Sequence, residues 1–283
     1  MSVTKASIPS DMNRTTQVNA SAQTAKIELR HISKSFDLGG GAMRDVVADI
    51  AFSAKPGEFV SVIGPSGCGK STMFNIMAGL ELPSAGQVFV NGQETTGRCE
   101  QFAYMPQKDL LFPWRTILDN TTLGLELHGM KKREARAKAQ QLFSAFGLAG
   151  FENYHPFELS GGMRQRVAFL RTVVQGREIL LLDEPFGALD SLTRLEMQGW
   201  LQGVWAEHEW TAVMITHDIR EAIALSDRVV VLSARPTTVR LDVAVNLPRP
   251  RDISVISSPE FVALEEQLLA TLHEEARKSF ATH

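Results

Sequence analysis

A glycine-rich stretch at residues 64–71, GPSGCGKS, constrains the fold of this chain more than any other feature. It follows an apolar run at residues 59–63 and precedes a segment of helical spacing that begins at Lys70. This order fits the pattern G-x-x-x-x-G-K-[ST], in which glycines let successive backbone N–H groups turn inward toward phosphate oxygens. The N-terminus of the following helix adds partial positive charge. The stretch therefore predicts a phosphate-binding loop between a buried strand and a helix.

The residues of this loop have distinct predicted roles. Lys70 is expected to bridge the outer phosphates of a nucleotide, and the Ser71 hydroxyl is expected to bind Mg²⁺, which prefers oxygen ligands. Cys68 is interpreted as a small filler. A chance glycine loop is the alternative, but the register of strand, lysine and serine argues against it. The predicted phosphate-contacting residues are Gly64, Pro65, Ser66, Gly67, Cys68, Gly69, Lys70, Ser71 and Thr72.

Short apolar runs alternate with segments of helical spacing from Ile27 onward, as in a mainly parallel sheet with helices on its faces. Asn91-Gly92 indicates a hairpin, because both residues tolerate positive φ. Strand signals vanish in a helical subdomain at about 114–158, where helices are predicted at 116–128 and 132–146. The predicted fold class is α/β, a P-loop NTPase core of mainly parallel sheet with an antiparallel β subdomain and an inserted helical subdomain. The predicted strands are residues 27–31, 49–53, 59–63, 87–90, 102–105, 179–182, 212–215, 228–232 and 240–245.

The two ends of the chain are predicted to lie outside a central domain at residues 25–236. Residues 1–24 are rich in Ser, Thr, Ala, Asn and Gln and lack the apolar core of a secretory signal, so a disordered lead-in is expected. Residues 237–283 are expected to add a strand and a helix that Ser258-Pro259 begins. One stripe of this helix is apolar and should dock on the core or on another subunit: Phe261, Leu264, Leu268 and Leu272.

Composition excludes several classes of protein. Hydrophobic residues make up 44% and charged residues 22% of the chain, as in ordinary globular proteins. The formal net charge of -3 gives no broad attraction for nucleic acid. The apolar runs fall far below the ~18 residues of a membrane-spanning helix. Cys68 and Cys99 form no C-x-x-C pair, so a reducing cytosol is expected rather than a disulfide or zinc framework.

Two acids follow the apolar run at residues 179–182. A buried strand that ends in Asp183 and Glu184 delivers both to the carboxyl edge of the sheet, where nucleotide sites form in such folds. Asp183 is expected to hold the Mg²⁺ shell, and Glu184 to orient and deprotonate an attacking water. Acids that merely cap the next turn are the alternative, which the neighbouring phosphate loop disfavours.

Further motifs then point to a family. Residues 159–166, LSGGMRQR, lie shortly before the strand that carries Asp183, and with the phosphate loop they resemble the nucleotide-binding subunits of ATP-binding cassette (ABC) transporters. Gln107 looks like the family's Q-loop residue, Asp190 like its D-loop residue and His217 like its switch histidine. The resemblance covers about residues 27–236. It implies an ATPase that uses ATP and Mg²⁺ to drive transport.

The motif at Ser160, Gly161 and Gly162 begins a predicted helix, whose free N–H groups are suited to binding an anion. A plain helix cap is the alternative. The resemblance implies that this loop, with Asp190, meets the ATP held by a second subunit. The active assembly would then be a head-to-tail homodimer with two composite sites.

The resemblance also implies roles for three further side chains. Phe36 stands where the family usually has an aromatic residue that stacks on adenine. His217 would bond the γ-phosphate and hold Glu184 and the water in line, whereas a structural histidine is the alternative. Gln107 would have a catalytic role as a neutral ligand near Mg²⁺. It would couple occupancy of the site by its ligand to movement of the helical insertion. Asp218, the residue after His217, and Glu221 are expected to cap the following helix reciprocally.

Residues 111–120, LFPWRTILDN, and the long stretch at residues 186–236 look like importer subunits of the nitrate, sulfonate and taurine group, which includes pyrimidine thiamine-precursor importers. The resemblance implies integral-membrane permease subunits as partners, a solute-binding protein as an indirect partner, and no nucleic acid. It implies a peripheral place on the cytoplasmic face of the inner membrane. A groove for the permease is expected at Leu110, Leu111 and Phe112.

Two other classes of function remain as alternatives. An ABC ATPase of DNA repair or ribosome work would usually carry long coiled-coil insertions or two cassettes, and this sequence has neither. A small-molecule kinase with a phosphate loop would leave the Ser160 motif and His217 without a role.

Overall fold

The computed structural model describes residues 25–208 and 210–281, so the predicted lead-in at residues 1–24 lies outside the described part. The strands there are β1 (Ile27–Asp37), β2 (Met43–Ala54), β3 (Phe59–Ile63), β4 (Ala85–Val90), β5 (Gln93–Glu94), β6 (Ala103–Met105), β7 (Ile179–Asp183), β8 (Thr211–Ile215), β9 (Arg228–Leu232) and β10 (Thr237–Ala244). The α-helices are α1 (Lys70–Met77), α2 (Ile117–Leu127), α3 (Lys132–Phe143), α4 (Gly161–Val173), α5 (Ser191–Ala206), α6 (Ile219–Leu225) and α7 (Pro259–Ala281).

These strands form one sheet in the order β5-β4-β1-β2-β10-β9-β3-β8-β7-β6. The strands from β9 to β6 run parallel to one another, and β1, β2, β4 and β5 pair antiparallel. β10 joins the two parts, because it pairs parallel with β2 and antiparallel with β9. This confirms the α/β fold class with its antiparallel part.

The central strands are apolar on both sides because helices or strands cover both faces of the sheet. All five residues of β3, β7 and β8 are buried. Alternate residues enter different cores: Leu180 and Leu182 pack in a cluster with the helical segment, whereas Ile179 and Leu181 pack with α1 and the antiparallel strands. Such continuous apolar runs are typical of buried parallel strands. The carboxyl ends of β3 and β7 therefore meet at the same edge.

The predicted helical insertion is present, with shorter helices than expected. α2 begins after Thr116, whose side chain accepts a hydrogen bond from the Asp119 N–H at 3.2 Å. α3 ends at Phe143 rather than at residue 146, and the chain then turns to Gly147 at φ 64°. The strand predicted at 49–53 is also longer, because Met43 to Ala48 continue the hairpin with β1. Those residues alternate too little in polarity to give a strand signal.

The C-terminal helix packs on the core, which was one of the two predicted partners, the other being another subunit. Phe261 and Leu268 of α7 are buried, and they pack in a cluster with Ile63 of β3 and Val231 of β9. The Asn91-Gly92 hairpin is confirmed too, with φ values of 50° and 76° between β4 and β5. None of the helices within the described residues has the length and hydropathy of a membrane span.

Candidate active site

The glycine-rich loop leaves β3 and enters α1, as predicted. Gly67 has φ 73° and Gly69 has φ 125°, backbone conformations that favour glycine. A Cβ on Gly69 would lie 3.1 Å from Val46 Cγ1 and 3.2 Å from Thr237 Oγ1, so the loop packs closely against β2 and β10. The Thr237 hydroxyl donates a hydrogen bond to the Cys68 carbonyl. The loop is therefore held in its turned shape by its neighbours.

The Lys70 side chain crosses the inside of this loop. Its side chain is buried, and Nζ donates to the carbonyls of Gly64 at 2.8 Å and Pro65 at 2.9 Å. The ammonium group is thus anchored at the centre of the loop by the loop's own backbone. Cys68 is buried beneath the loop, and this burial raises the pKa of its thiol. Cys68 therefore contributes packing volume at this position.

An open cleft of ≈ 490 Å³ adjoins the loop and collects residues from four parts of the chain. It brings the loop together with two of the predicted catalytic residues, Glu184 and His217. It also includes Arg235, which sequence reasoning did not single out. The lining residues are Ser66, Gly67, Gly69, Lys70, Ser71, Thr72, Glu184, His217 and Arg235.

Glu184 lies at the centre of the three predicted catalytic residues. Its Oε2 accepts a hydrogen bond from Gln107 Nε2 at 3.0 Å and lies 3.3 Å from His217 Nδ1. Its backbone is in the left-handed region at φ 45°, and its N–H donates to the Ile215 carbonyl at 2.9 Å. A non-glycine residue in this conformation costs about 1–3 kcal/mol and persists only where neighbours enforce it. The arrangement directs one carboxylate oxygen to two partners.

Asp183 lies one residue earlier, at the end of β7, and is buried. Burial raises its pKa; the hydrogen bond from the Tyr104 hydroxyl at 3.3 Å and the charge of Lys70 oppose that rise. Burial and the Asp183 charge in turn raise the pKa of Tyr104. Tyr104 thus binds the Asp183 carboxylate, which the sequence assigned to a metal. The only sequence signal for this contact is that Tyr104 lies on β6, the strand next to β7.

The donor set at this edge fits a magnesium ion. Mg²⁺ binds through one or two carboxylates, hydroxyls, waters and substrate phosphates rather than through a cage of protein ligands. Accordingly, no cluster of three or more His, Cys, Asp or Glu suited to a metal occurs in the described part of the chain. Asp183 and the Ser71 hydroxyl supply oxygen donors, whereas the Gln107 amide faces Glu184 in this structure.

The serine-led motif lies apart from the phosphate loop within one chain. The Ser160 hydroxyl accepts from the Met163 N–H at 3.3 Å, which makes it the cap of α4. Gly162 is buried, and a Cβ there would approach Thr193 Cγ2 of α5 to 2.8 Å. Gly161 lines a separate cleft of ≈ 510 Å³ together with Gln107, Lys108, Asp109, Arg164, Gln165, Gly187, Ala188 and Leu189. The structure therefore does not bring this motif to Lys70.

Phe36 and Asp190, two other predicted nucleotide contacts, also lie outside the first cleft, and Gly64, Pro65 and Cys68 of the loop do not line it either. Phe36, at the end of β1, is exposed, and Lys34 Nζ lies 4.9 Å from its ring centroid. Asp190 caps α5, where its Oδ1 accepts from the Leu192 and Thr193 N–H groups at 3.2 and 3.1 Å. A hydrogen bond from the Thr193 hydroxyl lowers the pKa of Asp190.

The predicted reciprocal cap of α6 is wrong in one half. Asp218 Oδ1 accepts from the Glu221 N–H at 3.1 Å, but the Asp218 N–H donates to Thr216 Oγ1 instead of to Glu221. The Glu221 carboxylate turns inward, where it accepts from Gln198 Nε2 of α5 at 3.2 Å. Burial raises the pKa of Glu221 to about 7.

The groove predicted at residues 110–112 also needs a correction. Leu110 is exposed, at φ 46°, but Leu111 is buried in the core and cannot line a groove. Trp114 is 73% exposed, and its ring lies 5.1 Å from that of Phe112 at an interplanar angle of 32°, so Trp114 offers apolar surface beside Leu110. A sequence run of apolar residues does not show which of them point inward.

Comparison with known proteins gives consistent results. A family model described as ABC transporter matches residues 47–187. The uncharacterized ABC transporter ATP-binding protein MJ0412 of Methanocaldococcus jannaschii is 41% identical over 254 residues, which cover 90% of this chain and 94% of that protein. The aliphatic sulfonates import ATP-binding protein SsuB 2 of Pseudomonas aeruginosa is 40% identical over 243 residues, covering 86% of this chain and 83% of that protein.

A solved structure is similar as well. It is the dimeric, post-hydrolysis state of the ATP-binding cassette MJ0796 bound to ADP and Pi. The two chains superpose with a TM-score of 0.68 and are 30% identical, and the match covers 78% of this chain and 100% of that one.

Proposed function

This chain belongs to the family of ABC transporter ATP-binding proteins, whose members are ATPases that drive transport, and from this premise we propose that it powers the import of a small solute. The observation that carries the proposal is the carboxylate oxygen of Glu184, which lies between Gln107 and His217 on the wall of the cleft that holds Lys70. Glu184 as the base, His217 and the phosphate-binding loop share one cavity, and Gln107 reaches Glu184 from the neighbouring cleft.

The proposed chemistry follows from these positions. Lys70 and the loop N–H groups bind the phosphates of ATP. Glu184 orients a water and accepts its proton as the oxygen attacks the γ-phosphorus, while the bond to the β-phosphate breaks and ADP leaves with the electron pair. His217 bonds the γ-phosphate and keeps Glu184 in line. Mg²⁺ held by Ser71 and Asp183 would neutralise charge on the phosphate oxygens.

The second half of each site is proposed to come from another copy of the chain. Gly161, the residue after Ser160, lies on a cleft separate from that of Lys70, so within one chain this helix tip does not face the phosphate loop. The similar cassette was solved as a dimer. In a two-fold pair each copy gives its Ser160 tip, with Asp190, to the loop of the other and receives the same in return.

A permease surface is proposed at the loop before α2. Leu110, Phe112 and Trp114 expose apolar surface there, and Asn120 fixes the loop through bonds to Phe112 N, Phe112 O, Arg115 O and Thr116 O at 2.7–3.1 Å. Arg171 of α4 donates to the carbonyls of Asp109 and Leu110. The helix that carries the Ser160 tip is thus bonded to the proposed permease surface.

The relatives support a proposal for the cargo and the location. The sulfonate import relative supports a small solute of the nitrate, sulfonate, taurine or pyrimidine thiamine-precursor type, which a solute-binding protein would bind first. The subunit would lie on the cytoplasmic face of the inner membrane. Residues 25–236 would be the ATPase domain and 237–283 its extension. A role in DNA repair or on the ribosome is the alternative, and co-purification with hydrophobic membrane subunits would argue against it.

Complementation between two inactive variants tests the composite site. Lys70→Ala lacks a phosphate-binding cation, and Ser160→Arg blocks the helix tip; neither should hydrolyse ATP alone. In a mixed dimer, one site combines the intact loop of the second variant with the intact tip of the first. Mixing the two should therefore recover about a quarter of the wild-type sites, by random pairing. Absence of recovery, with dimers present by light scattering, would place the Ser160 tip in its own chain's site.

A further inference from the structure

The turn between β9 and β10 brings to the nucleotide cleft an arginine that lies outside the phosphate loop and the other nucleotide-site motifs. Arg235 lines the same cavity as Lys70 and Ser71. One of its guanidinium nitrogens lies 4.0 Å from the position that a Cβ on Gly67 would occupy. Within the described residues, Arg235 forms no hydrogen bond or ion pair, so its donors face the cleft and solvent.

The charge of Arg235 acts on the loop directly. Burial raises the pKa of the Cys68 thiol, and the positive charges of Lys70 and Arg235 oppose that rise. A guanidinium group carries five N–H donors in a planar fork that matches phosphate oxygens. A second cation beside the loop is therefore placed to bind the same polyphosphate as Lys70.

The C-terminal helix holds this turn in place. Glu275 of α7 is buried, and its Oε2 accepts a hydrogen bond from the N–H of Ala234, the residue before Arg235, at 3.1 Å. The other carboxylate oxygen of Glu275 lies 3.3 Å from Arg240 Nε and 2.6 Å from Lys278 Nζ. A buried carboxylate with partners at both oxygens has one stable position. One polar link from α7 to the cleft is thus a backbone bond next to Arg235.

We propose that Arg235 is a second phosphate-binding cation of the nucleotide site and that Glu275 positions it, so that the C-terminal helix sets the affinity for ATP. The inference rests on the proposed function, because it requires ATP in this cleft. Glu275 acts through the turn and touches neither the nucleotide nor the reacting atoms.

Equilibrium binding of ATP to the purified full-length protein tests the first part. Titrations in EDTA remove the metal and report binding without hydrolysis. Arg235→Gln should weaken ATP binding about tenfold, the effect of one lost charge-assisted hydrogen bond. Arg235→Lys should keep most of the affinity, because the charge remains. Arg133→Gln is the matched control, since Arg133 is an exposed arginine of α3 that does not line the cleft. Wild-type affinity in Arg235→Gln would overturn the proposal.

A double-mutant cycle tests the positioning role of Glu275. Glu275→Ala should weaken ATP binding several-fold in the wild-type background and leave the affinity of Arg235→Gln unchanged. Glu275→Gln keeps an acceptor for the Ala234 N–H and should stay close to wild type. If the alanine variant fails to fold, Glu275→Asp keeps the charge but shortens the reach to Ala234, and it should give the same loss. An equal loss in both backgrounds would show that Glu275 does not act through Arg235.

Lys70→Ala, measured in the same titrations, separates this inference from the proposed function. Lost binding in Lys70→Ala with unchanged binding in Arg235→Gln would refute the role of Arg235 alone. Unchanged binding in both variants would mean that ATP does not occupy this cleft, and both proposals would fail.

Discussion

Replacement of Glu184 by glutamine separates nucleotide binding from hydrolysis. The amide is nearly the same shape as the carboxylate, so its oxygen can still accept the bond from Gln107 that is 3.0 Å long in the wild-type chain. What the variant loses is the negative charge beside His217 and the capacity to take a proton from water. Lys70 and the loop are untouched, so ATP binding should be retained.

The size of the effect follows from the role of a general base. Loss of such a base lowers the rate about 10²- to 10⁴-fold, which corresponds to about 2.7–5.4 kcal/mol in the activation free energy. Because ATP still binds and is not consumed, the variant should also accumulate as a nucleotide-closed dimer. The backbone strain at φ 45° is common to both side chains and cancels in the comparison.

Three measurements on one preparation of Glu184→Gln test the assignment of Glu184 as the general base. They are phosphate release, ATP titration, and molecular mass by light scattering with and without nucleotide. Glu134→Gln is the matched control, since it makes the same change at an exposed residue of α3. Wild-type turnover by Glu184→Gln would refute the assignment of the base. Lost ATP binding would mean that Glu184 mainly shapes the loop.

Three further predictions concern groups that support the site. Because burial raises the pKa of Glu221 from 4.5 to about 7, the folded chain keeps a proton that the unfolded chain releases, and stability should fall as pH rises through that window. Urea unfolding at pH 4.5 and pH 7 checks this: between the two pH values, the free energy of unfolding of Glu221→Gln should rise by about 1–3 kcal/mol relative to that of wild type. The same pH dependence of stability in both proteins would contradict the raised pKa. Gly69→Ala should lower the free energy of unfolding by about 2–4 kcal/mol, because φ is 125° and a Cβ would lie 3.1 Å from Val46. Gly129→Ala, at φ 86° in open space, should lower it by only about 1 kcal/mol. Equal losses in the two variants would contradict a contribution from packing at Gly69. Asn120→Ala removes four hydrogen bonds from a buried amide and should lower the free energy of unfolding by about 2–4 kcal/mol, with faster proteolysis of the loop at residues 112–116 as the local readout; an intact loop would mean that other contacts hold it.

The parts of the fold that sequence reasoning found are those with a local signal. β3 is apolar except for Ser61, β7 is apolar up to Leu182, and the loop after β3 has glycines where its backbone turns to positive φ. The α/β class and the family resemblance are confirmed on this basis. The first half of β2 gave no such signal, because Arg44 and Asp45 lie on an exposed hairpin that is held by pairing with β1.

The remaining features depend on contacts between distant residues. Glu221 fits a capping pattern, but tertiary packing against Gln198 draws its carboxylate inward. Leu111 and Leu110 are adjacent and chemically alike, yet only Leu110 faces solvent. Arg235 reaches the loop because β9 and β10 place it there, from a point more than 160 positions later in the chain. No local pattern encodes these arrangements.

The position of β10 has a consequence for the order of events during synthesis. β2 and β9 do not pair with each other, and β10, which ends at Ala244, pairs with both. Until about residue 244 has emerged from the ribosome, each of the two parts of the sheet therefore presents an unpaired strand border. Unpaired strand borders invite association with other chains, so this interval is when a nascent chain most needs a chaperone.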